Sequence, residues 1–275
     1  MSPADGLATM LFVPGAKPER FAKALSSGAD RTCIDLEDSV PADGKAAARA
    51  DALAAIAGDA RLILRINALT TRAGIADLLA LADAPALPPL LLVPMVESAA
   101  EVAIVAAVLG DRTPGLVPLI ETTSGLHVAR DIARAPRVAA MMFGGGDFAA
   151  ELGVELAWEP LRAARAAFIL ACAGAGIPMI DVPFLALDDL DGLAAETRAA
   201  KALGFTAKAA IHPAQVGTIN AVFQPSAAEI AEAEAAQEAF TAANGAAVRF
   251  NGRMLEAPIM RRYQRILAMR SKNDA

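Results

Sequence analysis

The chain has 275 residues and a formal net charge of −6, and 55% of its residues are apolar while only 4% are aromatic. This charge provides no basic stripe for nucleic acid, and no apolar run approaches the roughly 18 residues that a membrane span needs. Cys33 and Cys172 are too few for a disulfide framework, and His127 and His212 are too few for a three-histidine zinc site. The N-terminal MSPADGLATM lacks the pattern of a secretory signal, so we expect a cytoplasmic protein with no nucleic-acid or membrane partner, in which oxygen ligands hold any metal.

Short β-rich apolar runs alternate with Ala-rich helical segments, with a repeat of about 25 to 35 residues. The eight candidate strands are TMLFV from Thr9, TCIDL from Thr32, LILRI from Leu62, LLLVPM from Leu90, LVPLI from Leu116, VAAMMF from Val138, IPMIDV from Ile177 and AKAAI from Ala207. Helical segments between them include KPERFAKALSSG, KAAARADALAAIAG, SAAEVAIVAAVLG and DLDGLAAETRAAKALG, which all end in glycine. Eight such units predict an α/β fold, the (β/α)8 TIM barrel.

An open doubly wound sheet is the main alternative, because it shows the same alternation of strands and helices. Its first strand is usually followed by a glycine-rich phosphate fingerprint, and FVPGAKPER is not that fingerprint. The predicted catalytic barrel domain is residues 1–222. Residues 223–275 contain an Ala/Glu-rich helix from Ser226 to about Ala243, the segment VRFNGRMLEAP and a basic helix, IMRRYQRILAMR. We expect a C-terminal helical extension. A contact between subunits of an oligomer would explain why the chain has a segment that the barrel itself does not need.

Polar residues lie at the carboxyl ends of the second to eighth predicted strands, where barrel enzymes place their active sites. They are Asp35, Glu37 and Asp38, then Arg65 and Asn67, then Glu97, Glu121, Asp147, Asp181 and His212. A single acid of this set could be a helix cap, but carboxylates crowded at one rim repel each other unless a cation or an arginine lies among them. Glu121 and Asp147 follow adjacent strands and form the natural Mg²⁺ pair, since this ion often takes one or two carboxylates plus substrate and water.

The segment MMFGGGDF, residues 141–148, places three glycines directly before Asp147. We expect Gly144, Gly145 and Gly146 to let backbone amides approach the ligand oxygens while Asp147 holds the metal. A tight turn with no ligand is the alternative.

Motifs in a fixed order cover nearly the whole chain. They are LFVPGAKPERFAKALSSGAD, CIDLEDSV, LRIN, PMVES, LIETTSG, FGGGDFAAELG, GFTAKAAIHPAQV and NGRMLEAP. Through them the sequence resembles the citrate lyase β subunit-like (CitE-like) proteins of the HpcH/HpaI aldolase superfamily. The resemblance implies a Mg²⁺-dependent barrel, usually a homotrimer, that makes or breaks a carbon–carbon bond beside a thioester carbonyl. It also implies that Glu121 and Asp147 bind the metal, that Arg65 binds the keto-acid oxygen, and that Glu256, delivered over a neighbouring barrel mouth, transfers the proton.

The implied reaction is cleavage of a 3-hydroxy-3-carboxyacyl thioester, such as malyl-, citramalyl- or citryl-CoA or the carrier-protein form, or the reverse synthesis. The hydroxyl group loses a proton while the bond breaks into a keto acid and a thioester enolate. Mg²⁺, Arg65 and the glycine amides would stabilise the moving negative charge. Asp35, Glu37, Asp38 and Glu97 would surround these groups as supporting residues.

Three positions depart from the pattern of the family. Glu256 stands where an aspartate is usual, and its extra methylene moves the carboxylate by more than about an ångström, which is enough to weaken a proton transfer. Met95 stands where a lysine is common, and Ala207 where a glycine is common. A barrel that binds an acyl-CoA or carrier protein without turnover, or one subunit of a multi-subunit citrate lyase, therefore remains an alternative.

Other polar residues have weaker interpretations. Lys17 and Arg20, after the first strand, are candidate ligands of the coenzyme A diphosphate or simply a solvated helix start. Lys208 lies within the eighth strand, which disfavours a Schiff base. His212 precedes a proline, and a hydrogen bond that fixes a turn is favoured there over general-base catalysis.

Overall fold

The computed structural model describes residues 2–273, with side chains through residue 268. Eight parallel strands form a closed barrel in chain order, and the last strand pairs with the first. The strands are β1 (Thr9–Pro14), β2 (Arg31–Asp35), β3 (Leu62–Arg65), β4 (Leu90–Val93), β5 (Gly115–Ile120), β6 (Met141–Phe143), β7 (Met179–Asp181) and β8 (Ala207–Ala210). The predicted (β/α)8 barrel is confirmed.

Helices follow the strands as the predicted alternation requires. They are α1 (Phe21–Leu25), α2 (Lys45–Ile56), α3 (Arg72–Asp83), α4 (Ala99–Leu109), α5 (Thr123–His127), α6 (Ala129–Ile132), α7 (Gly145–Leu152), α8 (Trp158–Cys172), α9 (Leu190–Leu203), α10 (Pro213–Phe223), α11 (Ala227–Ala242) and α12 (Ala257–Asn273). Several begin at an N-cap that the sequence encodes. Ser98 and Glu101 form a capping box at α4, for example, which satisfies backbone N–H groups that have no partner within the helix.

Several predicted elements are shorter in the structure, and the sixth strand and the first helix are shortened most. The sixth strand begins at Met141, because Val138 contributes only an isolated bridge to Leu116. The segment KPERFAKALSSG starts with a 3₁₀ turn over Pro18–Arg20, which leaves only five residues for α1. These differences concern element boundaries and leave the order of strands and helices unchanged.

The barrel interior is closed by apolar side chains. Met10, Cys33, Ile63, Val117 and Ile180 are fully buried there. Burial raises the pKa of the Cys33 thiol well above its ordinary value, so this cysteine behaves as a small apolar core residue. With its interior packed, the barrel can offer a ligand a cavity only at its ends.

The chain divides into two compact units, residues 1–220 and 221–275. In the second unit α11 packs on α12, and Ala233, Ala236, Leu255 and Met260 form its small core. The Tyr263 hydroxyl donates to Glu232 Oε1 at 2.8 Å and joins the two helices.

An antiparallel hairpin in the second unit was not predicted. Strands β9 (Val248–Phe250) and β10 (Arg253–Leu255) are joined by Asn251 and Gly252, with φ of 44° and 76°. Two positive φ angles are the requirement of the type I′ turn, and Asn-Gly is its strongest sequence signal. Among the described residues, no helix has the length and apolar character that crossing a membrane would need.

Candidate active site

A cavity of about 320 Å³ lies at the carboxyl ends of the barrel strands. Its charged lining residues are Asp35, Asp38, Arg65, Glu121 and Asp147, which are provided by β2, β3, β5 and β6 and the segments that follow them. Gly144, Gly145 and Gly146 also line it. Because the carboxyl ends of the barrel strands converge, residues that are distant in sequence lie in one cavity.

Three carboxylates hold the Arg65 side chain. Its Nε lies 2.7 Å from Asp35 Oδ1, its Nη1 lies 2.9 Å from Glu37 Oε2, and its Nη2 lies 3.1 Å from Asp38 Oδ2. The guanidinium carbon also lies 5.1 Å from the centre of the Phe12 ring. A guanidinium has five N–H donors, so these partners fix its plane and still leave donors for a ligand.

The turn after β2 explains how Asp35 and Glu37 both reach Arg65. Asp35 accepts the backbone N–H groups of Glu37 and Ser39 at 2.9 and 3.1 Å, which folds the chain back over the strand end. Burial raises the pKa of Asp35, but the hydrogen bond and charge of Arg65 outweigh burial and hold that pKa below its usual value. Burial raises the pKa of Glu37 to about 8, although the charge of Arg65 lowers it.

Glu121 is buried directly after β5, and its Oε2 accepts the backbone N–H of Met95 at 2.7 Å. Met95 has a φ of 54°, a left-handed conformation that is uncommon for a residue other than glycine. The residue in this conformation is the one whose N–H donates to Glu121. Burial raises the pKa of Glu121 to about 7; the Met95 N–H and Arg65 lower it, while Asp147 and Asp38 raise it. Sequence reasoning missed this backbone donor, because the sequence carries no signal for it.

Gly144 makes room for Glu121. A Cβ atom on residue 144 would overlap Glu121 Cγ and lie 2.5 Å from its Oε1. The first glycine of the triplet thus provides space for a protein carboxylate. The sequence analysis had assigned the glycines only the role of exposing backbone amides to a ligand.

The remaining glycines begin a helix. Gly144 is the N-cap of α7, Gly145 and Gly146 are its first residues, and Asp147 lies exposed in its first turn. The triplet therefore starts a helix and is not an isolated tight turn. The positive end of the α7 dipole favours an acidic group or an anionic ligand at this place.

Glu121 and Asp147 fit Mg²⁺ better than a metal that needs a full set of protein ligands. The described residues contain no group of three or more His, Cys, Asp or Glu side chains that could hold a metal. Mg²⁺ is commonly held by one or two carboxylates and completes its shell with water and substrate oxygens. The lining residues supply four carboxylates against one guanidinium, so a bound cation would relieve their repulsion.

The model of the HpcH/HpaI aldolase/citrate lyase family matches residues 8–213. The chain belongs to this family. A Cereibacter sphaeroides (3S)-malyl-CoA thioesterase is 38% identical over 81% of this chain and 79% of its own length. An L-malyl-CoA/β-methylmalyl-CoA lyase of the same species is 35% identical over 90% of this chain and 89% of its own length.

A solved structure of a family member supports the same assignment. CitE from Mycobacterium tuberculosis in complex with magnesium, acetoacetate and coenzyme A is 32% identical. The match covers 97% of this chain and 98% of that one, with a TM-score of 0.85. The similarity to this family member thus extends beyond the barrel to residues near both ends of the chain.

Asp181 does not lie at the barrel mouth, and its prediction there is wrong. Its side chain is fully buried, 2.8 Å from Arg165 Nε and 2.6 Å from Lys208 Nζ. Successive side chains of a strand point to opposite faces, and this one points to the helix layer, where α8 carries Arg165 and α9 carries Glu196. The Lys208 ammonium also lies 2.8 Å from Glu196 Oε1, which argues against a Schiff-base role.

Other predicted residues lie outside the described lining of the cavity. Glu97 is exposed and accepts the Thr122 hydroxyl at 2.6 Å, while Lys17 and Arg20 are exposed beside the turn after β1. His212 Nδ1 accepts the Ala214 N–H at 3.2 Å, which is the turn-fixing contact that the sequence favoured.

Glu256 belongs to the second unit. It is exposed, follows β10 directly and precedes α12. Its backbone carbonyl oxygen accepts the Met260 N–H at 2.9 Å in the first turn of α12, and this bond does not involve the carboxylate.

Proposed function

We propose that the protein is a Mg²⁺-dependent carbon–carbon lyase, or the corresponding synthase, that acts on a 3-hydroxy-3-carboxyacyl thioester. The products of cleavage are a keto acid and an acyl thioester. The observation that carries the proposal is the cavity in which Glu121 and Asp147 lie together with the clamped Arg65. The relatives named as malyl-CoA lyases and the CitE complex with magnesium, acetoacetate and coenzyme A support it.

Glu121 and Asp147 are the proposed Mg²⁺ ligands. The bound ion would supply Lewis-acid chemistry to the carboxylate and the adjacent oxygen of the substrate. Arg65 donates to the oxygen that becomes the keto group, and its three acidic neighbours prevent it from moving with the substrate. The amides of Gly145 and Gly146 are proposed neutral donors to substrate oxygens.

Glu256 is the proposed proton-transfer group. When the bond between carbons 2 and 3 of the acyl chain breaks, the 3-hydroxyl gives up its proton and carbon 2 must gain one. We place Glu256 at the active site of a neighbouring subunit in a cytoplasmic homotrimer, with Lys17 and Arg20 near the diphosphate of coenzyme A. A carrier protein is the alternative bearer of the acyl group.

The test is a turnover screen of the purified protein with malyl-, citramalyl- and citryl-CoA, with and without Mg²⁺. Keto acid, acyl-CoA and free coenzyme A are quantified separately, which distinguishes a lyase from a thioesterase. We expect keto acid and acetyl-CoA in equal amounts, only with Mg²⁺, and a loss of about 10³-fold or more in Asp147→Ala. Release of free coenzyme A without keto acid would contradict the lyase and favour hydrolysis.

Binding without turnover is the second candidate, and Glu256 in place of the usual aspartate favours it. The Glu256→Asp variant tests it in the same screen. If the native chain is inactive and this variant cleaves a thioester, the metal site is competent and the native protein binds its ligand without cleaving it.

A further inference from the structure

The charged lining residues of the cavity are confined to one part of it, where Leu119 and Met142 also line it, and another part is lined by apolar side chains alone. Every charged lining residue belongs to β2, β3, β5, β6 or the segments directly after them. Leu156, from the segment between α7 and α8, and Val182, Pro183, Leu185 and Ile211, from the segments after β7 and β8, line it with apolar side chains. We call these five residues the apolar wall.

Two residues of the apolar wall pack against Gly145, two positions before the proposed metal ligand Asp147. A Cβ atom on Gly145 would lie 3.0 Å from Leu156 Cδ1 and 3.2 Å from Val182 Cγ1. Gly145 directly follows the glycine that packs against Glu121, and it opens the helical turn that carries Asp147. Leu156 and Val182 therefore line the cavity beside the backbone of the segment that carries Asp147.

The segment that carries Val182 is held in place by buried polar side chains. Lys208 Nζ donates to the Val182 carbonyl oxygen at 2.7 Å, and Gln215 Nε2 donates to the Phe184 carbonyl oxygen at 2.8 Å. Lys208 and Gln215 are themselves buried. The backbone around Val182 thus has a fixed position, which a specificity pocket needs if it is to distinguish groups that differ by one methyl.

A second anionic group on the substrate would find no partner here. Arg65 is the only cation among the described lining residues, and three carboxylates already surround it. Four lining carboxylates would also repel another negative charge, and an apolar surface gives it no hydrogen bond.

We propose that Leu156 and Val182 form the subsite for an uncharged alkyl group on carbon 3 of the thioester, the carbon that becomes the keto carbon. The preferred substrate then carries a methyl group there, as citramalyl-CoA does, in place of the hydrogen of malyl-CoA or the carboxymethyl group of citryl-CoA. Its cleavage between carbons 2 and 3 yields pyruvate and acetyl-CoA, and the hydroxyl proton lost is balanced by the proton that carbon 2 gains. This inference rests on the proposed lyase function.

The test compares kcat/KM for the three thioesters in the native protein, Leu156→Ala, Val182→Ala and a control. The control is Val102→Ala, which removes the same two methyl groups from a fully buried position in α4. We expect the native protein to favour citramalyl-CoA over malyl-CoA by about tenfold or more, because a methyl group in an apolar pocket is worth about that factor, and to favour citryl-CoA least. Both subsite variants should lower the citramalyl-to-malyl ratio by about fivefold, while Val102→Ala keeps it.

A binding measurement provides a readout that is independent of turnover. Isothermal titration with Mg²⁺ present should give tighter binding of pyruvate than of glyoxylate or oxaloacetate, and Val182→Ala should reduce the difference. If thioesters are cleaved but the ratio is the same in the native protein and both subsite variants, the inference is wrong and the lyase proposal stands. If no thioester is cleaved by any variant, the lyase proposal fails and the inference fails with it.

Discussion

The Glu121 side chain packs directly against the backbone of Gly144 and fills the space that a side chain on residue 144 would need. Glu121 is also fixed at its other oxygen by the Met95 N–H. A buried carboxylate that is held at two points has little freedom to adapt when a neighbour grows. The geometry of the proposed metal site therefore depends on a residue that carries no ligand atom of its own in its side chain.

Gly144→Ala should weaken Mg²⁺ binding by about tenfold or more, because the added methyl must displace Glu121 and changes of this kind beside a metal ligand cost about 10- to 100-fold in affinity. Gly146→Ala is the matched control, since a Cβ atom there meets no heavy atom within 4 Å. Calorimetric titration of both apo variants with Mg²⁺ measures the difference. Equal affinities in the two variants would show that Glu121 does not need this space.

At the residue scale, the sequence predicted the position of a site residue correctly where that residue lies at the carboxyl end of a strand and faces the cavity. Arg65, Glu121 and Asp147 were predicted to meet because the carboxyl ends of barrel strands converge. The same rule misplaced Asp181, since a residue within a strand faces either the interior or the helices according to its register. The left-handed conformation of Met95 and the apolar wall were not predicted. No sequence motif indicates a positive φ at Met95 or the packing of these apolar side chains around the cavity.

At the element scale, β7 and β8 are linked to the helix layer by buried charges. Lys208 contacts Asp181 and Glu196 through its ammonium, and Arg165 contacts Asp181 from α8. Removal of one partner from such a network leaves a buried charge without compensation. This cluster thus connects β7 and β8, the strands that precede Val182 and Ile211, with α8 and α9.

Lys208→Met should lower the free energy of unfolding by about 3–5 kcal/mol, the cost of breaking a buried ion pair by removing one partner. Urea unfolding followed by circular dichroism measures it, with Lys23→Met on the exposed face of α1 as the control that should change by less than about 0.5 kcal/mol. An unchanged unfolding midpoint combined with a borohydride-trapped pyruvate adduct on Lys208 would instead support a Schiff-base lysine.

The elements themselves were largely predictable, and the exceptions have local causes. Sequence patterns located all eight strands and, between them, the four helices that were named, α1, α2, α4 and α9. Helix α7 was not predicted, because glycine has the lowest helix propensity after proline and the helix begins within the glycine triplet. The Asn251-Gly252 hairpin carried a clear turn signal that was not used.

At the scale of the whole molecule, the two compact units carry different parts of the proposed machinery. Residues 1–220 contain Arg65, Glu121 and Asp147, and residues 221–275 contain Glu256. If Glu256 serves a neighbouring subunit, as we propose, one active site needs two chains. Ring-forming contacts of the head-to-tail kind produce such an arrangement in a trimer.

Subunit complementation tests this sharing. Asp147→Ala and Glu256→Ala should each be inactive alone, and Glu256→Ala should retain Mg²⁺ binding because its metal ligands are intact. When the two variants are co-expressed with different affinity tags and mixed oligomers are purified, a shared site combines the native Asp147 of one chain with the native Glu256 of the next. In a head-to-tail trimer, every mixed oligomer has one site of its three that pairs the Asp147 of a Glu256→Ala chain with the Glu256 of an Asp147→Ala chain. The purified mixed oligomers should therefore show about one third of native turnover. Mixed oligomers that remain inactive would place Glu256 at the site of its own chain, and full activity of Glu256→Ala alone would remove it from the proton transfer.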